Sequence, residues 1–175
     1  MSTPPMLRQL RHDVWATTAL VAHLRKLSDE QLELTAPGTY GNIRRTLEHI
    51  VAADTRYLAR LGIVVLEAPF REDHDVSLGE IAAMLEQVKA GVERVFTNKE
   101  FDPDRVIVDA LSQRAPTDPT RELEAWMMLA QFTHHGSDHR AHVGTILGAH
   151  GLDTPGLDVW AYGREIGAIR EVTAK

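Results

Sequence analysis

Apolar residues recur along most of this chain every three to four positions, the spacing that puts side chains on one face of an α-helix. Leu10, Val14, Leu20, Val21 and Leu24 share such a face and predict a first helix over 7–26, widened by Trp15 and several alanines. Pro37-Gly38 and Gly41 interrupt the pattern within 28–41. Ile43, Leu47, Ile50, Val51, Tyr57, Leu58 and Leu61 then predict a second long helix, with Asn42 as its N-cap and Gly62 as its stop. The segment 63–76 holds Pro69 and sets acidic residues on either side of His74; it predicts a loop with at most a short strand or turn at its start. Ser77 and Glu80 have capping-box spacing, ahead of a stripe of Ile81, Met84, Leu85, Val88, Val92 and Val95 that predicts a third helix as far as Phe96.

Asp102-Pro103 opens another break. Val106-Ile107-Val108 has the composition of a strand, but a lone strand has nothing to pair with, so an extended loop is predicted. Pro116 and Pro119 bracket a turn, and Thr120 stands as N-cap of a fourth long helix with Glu122 in its first turn. Leu123, Trp126, Met127, Ala130, Phe132 and His134 spread over a wide face of that helix, which runs through Ile146 and Leu147 to a stop at Gly148 or Gly151. Gly136 and Gly144 lie inside it, where glycine weakens a helix, and predict close packing against another helix. After Pro155-Gly156, a short helix from about Asp158 to Val172 completes the pattern. Amphipathic helices bury their stripes against one another, so the chain is predicted to be all-α: a four-helix bundle with a short extra C-terminal helix. The connections 28–42 and 97–119 are long enough for either a crossover or a simple up-and-down path. No repeat or linker-like stretch divides the chain, so residues 1–175 read as a single domain.

Composition narrows the chemistry. There is no cysteine, which excludes disulfides, thiolate metal sites and cysteine nucleophiles and leaves nitrogen and oxygen as donors for any metal. The net charge is −6, and basic clusters such as Arg44-Arg45 are short, so no nucleic-acid partner is expected. No apolar run approaches membrane-spanning length, and residues 1–6 have no basic region followed by an apolar stretch. A cytoplasmic location without a membrane partner is the resulting expectation.

Nine histidines are the most chemically informative feature. His135 and His139 stand four apart, one turn along a single helix face, and can offer two imidazole nitrogens to one transition metal. A third donor must come from elsewhere, and His49 on the second predicted helix is the candidate. Three histidines would leave positions for water or substrate, as catalytic metal centres require. The same spacing also suits a surface pair or two imidazoles hydrogen-bonded inside a bundle. His142 lies near the same face, as a donor behind the ligands or an alternative ligand. His134 points away from the pair and reads as a core-edge or interface residue, and His12, His23, His74 and His150, near polar segments or ends, are the weakest metal candidates. Asp138 and Glu48 adjoin ligand candidates and face other directions, but either can orient an imidazole on another helix. Arg140 reads first as a solvated surface side chain and second as a substrate- or anion-binding group. Trp126, Trp160, Tyr57 and Tyr162 are core or interface candidates, and Met127-Met128 reads as ordinary packing. The residues between His135 and His139 are Gly-Ser-Asp, so the H-E-x-x-H motif and its base for peptide hydrolysis are absent.

Three motifs in order, Thr46-Leu47-Glu48-His49-Ile50, His134-His135-Gly136-Ser137-Asp138-His139-Arg140 and Asp158-Val159-Trp160-Ala161-Tyr162, resemble those of the DinB/YfiT-like metal-binding four-helix proteins. The resemblance spans nearly the whole chain. It implies an up-down-down-up bundle, His49, His135 and His139 as ligands of a divalent metal such as zinc or nickel, and a homodimer. The chain departs from the family pattern at Ala141-His142, where Gly-Gln is usual. Some such proteins are transferases or isomerases that use bacillithiol or mycothiol. The resemblance therefore implies a metal-activated reaction of a low-molecular-weight thiol with a small-molecule substrate, a scheme that needs no protein cysteine. The alternatives are a metal-dependent hydrolase of small substrates and a non-enzymatic metal-binding protein serving stress response or interaction.

Overall fold

The computed structural model describes residues 3–63, 76–97, 101–109, 119–170 and 172. In chain order the elements are α1 (Pro5–Leu24), α2 (Asp29–Leu32), α3 (Ile43–Arg60), α4 (Leu78–Thr97), β1 (Val106–Asp109), β2 (Arg121–Glu124), α5 (Ala125–Ala149) and α6 (Val159–Glu165). The expected loop around Pro69 and His74 and the turn at Pro116 lie outside the described residues. No described helix is long and apolar enough to cross a membrane.

The four long helices form the predicted bundle. α3 packs against α4 and α5, and α1 packs against the same two, which leaves α1 and α3 diagonal. Leu10, Leu24, Leu47, Leu58, Leu85 and Phe132 are among the side chains buried between them. Contacts fix the directions. Arg11 near the start of α1 meets Glu93 near the end of α4, and Tyr57 late in α3 lies against Phe132 early in α5, so both pairs are antiparallel. Arg44 and Glu48 in the first half of α3 both bond the backbone of Val76, just ahead of α4, so α3 and α4 run parallel. The order is therefore up-down-down-up. The crossover joins α3 to α4, rather than occupying either long connection at 28–42 or 97–119.

Local chemistry sets most boundaries as predicted. Asn42 Oδ1 accepts from the backbone N–H of Arg45 at 2.7 Å and starts α3. The backbone N–H of Glu80 donates to Ser77 Oγ while Glu80 Oε2 accepts from the backbone N–H of Ser77, the reciprocal cap expected ahead of α4. The short α2 carries a second such box between Ser28 and Gln31 that sequence reading passed over.

Several expectations are corrected. Residues 106–109 are not a loop: they pair antiparallel with 121–124, with Ile107 opposite Leu123. The partner strand is the segment expected to begin the fourth helix at Thr120. Ile107 and Leu123 pack against the core, while Val106 and Val108 face solvent. The first N–H groups of α5 are satisfied by this arrangement and not by a side chain, with Ala125 N donating to Arg105 O and Trp126 N to Pro103 O. The last helix is also shorter than expected. Asp158 caps it by accepting from Ala161 N at 2.7 Å, and Gly167, at φ +69°, ends it where the backbone turns left-handed. Trp160, expected in a core or interface, is 69% exposed and so lies outside the core of this chain.

Candidate metal centre

His49 lies in α3 and His135 and His139 in α5, on the faces these antiparallel helices turn toward each other. The three predicted side chains come together. One ring nitrogen from each lies within 4.8 Å of the others, and the Nε2 atoms of His49 and His135 are 3.0 Å apart. Ring centres are separated by 4.4 Å for His135 and His139 and by 4.8 Å for His49 and His139. All three residues are partly buried.

This environment favours the neutral rings that a metal requires. Burial first, then the neighbouring imidazoles of His139 and His49, lowers the His135 pKa to about 3. Burial, with His49 and His142 behind it, lowers that of His139 to about 4, against a smaller opposing pull from Asp138. The Nδ1 atoms of His135 and His139 are buried without a hydrogen-bond partner among the described residues. Three imidazole nitrogen donors from two helices, with no protein thiolate available, fit a borderline divalent cation.

The surroundings differ from expectation in several places. His142 stands edge-on to His139 with ring centres 5.3 Å apart, beside the trio and not within it. Glu48 turns away and accepts from the backbone N–H of Val76 at 3.0 Å. Tyr40 does bond a ligand candidate: its Oη is 3.0 Å from His49 Nδ1. Tyr57 packs against the core beside Phe132, as expected, and also meets the ring of His135 in a T-shaped contact at 5.6 Å. His12, His23 and His150 each bond a backbone carbonyl, of Leu157, Asp153 and Thr35 respectively, and so tie connections to the bundle.

Arg140 is the largest correction. Neither solvated nor turned outward, it is 6% exposed. Its Nη2 donates to Asp13 Oδ1 at 2.5 Å and its Nη1 to Thr17 Oγ1 at 2.9 Å, which locks α5 to α1. Gly136 makes room for this pair, since a Cβ there would lie 2.5 Å from Asp13 Oδ2. The predicted close approach therefore holds at Gly136. At Gly144 a Cβ would meet only Thr154, at an ordinary 3.6 Å. Nearby Asp54 is fully buried, and neither of its oxygens has a hydrogen-bond partner among the described residues. Burial and the adjacent Asp13 push its carboxyl well above the usual range, with Arg140 opposing. Sequence reading missed this group because a lone Asp gives no periodic signal.

Comparison with known proteins agrees with the architecture. The DinB family model matches residues 1–168. A crystal structure of a DinB-like protein from Bacillus cereus is similar, with a TM-score of 0.66 and 22% identity over 86% of this chain and 94% of that one. None of the curated proteins matches.

Proposed function

The chain belongs to the DinB family, and we propose that it is a metal-dependent enzyme acting on small molecules, in which His49, His135 and His139 hold one zinc or nickel ion. The observation that carries the reading is the convergence of three nitrogen donors, two of them on rings whose protonation is suppressed. When bound, the ion would supply Lewis acidity, lowering the pKa of a low-molecular-weight thiol so that thiolate forms near neutral pH. The protein's part is to present three lone pairs, exclude much of the solvent and receive a proton. His142 stands next to His139 with Nδ1 buried and unpartnered among the described residues, and is the acceptor for the thiol proton in this scheme. Arg140 has no part in binding substrate here, because Asp13 and Thr17 occupy its guanidinium.

Metal analysis of gently purified protein tests the centre. Wild type should carry close to one equivalent of zinc or nickel, and His49→Ala and His139→Ala should lose it while keeping their helical content. Metal-loaded wild type should then bind bacillithiol or mycothiol with a metal-dependent spectral change. Retention of metal by both variants would refute the centre, and absence of thiol binding would refute the thiol chemistry alone.

A further inference from the structure

Tyr40 owes its position to a turn legible in the sequence. Thr39 N donates to Ala36 O at 3.3 Å, with Pro37 and Gly38 between them and Gly38 at φ +79°. That is the geometry of a type II turn, in which proline fixes the first corner and only a residue tolerant of positive φ fits the second. Thr39 Oγ1 donates to Ala36 O at 2.8 Å, and Ile43 N donates to Leu34 O at 3.3 Å, closing the loop at both ends. His150 bonds Thr35 O from the end of α5 at 2.9 Å. Tyr40 is thus delivered by an anchored loop, two residues ahead of the N-cap of α3.

There its ring stacks on His49, with centres 4.2 Å apart and planes 24° from parallel, and meets the edge of His139 at 4.9 Å. Its hydroxyl reaches His49 Nδ1, while His49 Nε2 faces His135 Nε2. A neutral imidazole carries its proton on one nitrogen and its lone pair on the other. The proton on Nδ1 is the arrangement that leaves Nε2 free to bind a cation, and an acceptor at Nδ1 selects it.

We infer that Tyr40 is the positioning residue of the metal centre: its Oη accepts the Nδ1–H of His49, fixing the tautomer and ring orientation that aim Nε2 at the ion, while its ring covers the outer side of His49. This inference rests on the metal reading given above. It concerns affinity for the ion and requires no particular reaction.

Tyr40→Phe keeps the ring and removes the acceptor; Tyr40→Leu removes both. Tyr40 is 40% exposed and outside the core, so both variants should fold, as far-ultraviolet circular dichroism would verify. Zinc affinity is measured by competition with a chromophoric chelator, and the His49 ring nitrogens are followed by 15N NMR in the zinc-loaded protein. Tyr40→Phe should weaken zinc binding about tenfold, the lower end of what loss of an orienting partner costs a metal site. It should also shift the His49 Nδ1 resonance and speed exchange of its proton, and Tyr40→Leu should weaken binding further. Wild-type affinity in Tyr40→Phe, with an unchanged His49 spectrum, would overturn the role of Tyr40 while leaving the metal centre intact. Failure of the wild type itself to bind zinc would overturn both.

Discussion

At the residue scale, two neighbours in the sequence have opposite fates. His139 was legible because an i,i+4 partner and a histidine on another helix mark a convergent face. Arg140 was not, because an arginine beside a polar run is usually solvated, and its partner Asp13 is 127 positions away. What makes its burial tolerable is that both Nη groups are supplied with acceptors: Asp13 Oδ1, Asp13 O, Thr17 Oγ1 and Ser137 Oγ. Removing one member of such a pair leaves the other charge buried and uncompensated. Arg140→Met should therefore lower unfolding stability by about 3–5 kcal/mol. Combining it with Asp13→Leu should recover much of the loss, since an apolar pair of similar size has no charge to desolvate. Urea unfolding of the two variants decides the matter. A double variant as unstable as the single would mean that packing volume, and not charge, sets the cost. Gly136 was readable only as a sign of closeness; that it yields space to a carboxylate is a fact of the other helix.

At the element scale, boundaries were readable where a side chain makes them and unreadable where the fold does. Asn42 and the Ser77–Glu80 pair act on N–H groups within three residues, so their signal is local. Arg121-Glu-Leu-Glu124 has helix-forming composition, yet it is a strand, because pairing with 106–109 buries Ile107 and Leu123 and outweighs a weak local preference. The same hairpin holds the end of α3, through Arg60 to Asp109 at 2.6 Å and Arg105 Nη2 to Leu61 O at 2.9 Å. Those links join residues 44–49 positions apart, which no window of the sequence contains. The local kind of boundary can be checked directly. Asn42→Ala removes the cap of the helix that carries His49, together with a bond from Asn42 Nδ2 to Glu33. It should cost about 1 kcal/mol in denaturant unfolding. An unchanged midpoint would show that tertiary packing alone starts α3.

At the scale of the whole molecule, the bundle holds two sets of groups whose titration acts on stability in opposite directions. His135 and His139 resist protonation when folded, whereas the unfolded chain accepts protons below about pH 6.5, the ordinary histidine value. Stability from this source is complete above that pH and is lost as pH falls toward 4 and then 3. Asp54 and Asp13 behave conversely. Their folded pKa values are raised, by burial above all, so the folded protein keeps protons that the unfolded chain has already released. That contribution is greatest below the ordinary carboxyl value of 3.8 and is lost as pH rises through the folded pKa. Asp54 is the cleaner probe, because it is fully buried with both oxygens unpartnered among the described residues. Asp54→Asn keeps its shape and abolishes its titration. Between pH 4 and pH 8, metal-free Asp54→Asn should therefore gain stability relative to wild type, whatever constant offset the amide introduces. Urea unfolding across that range supplies the two curves. If they run parallel, Asp54 does not change its proton affinity on folding, and the buried carboxyl must have found a partner that neutral geometry conceals.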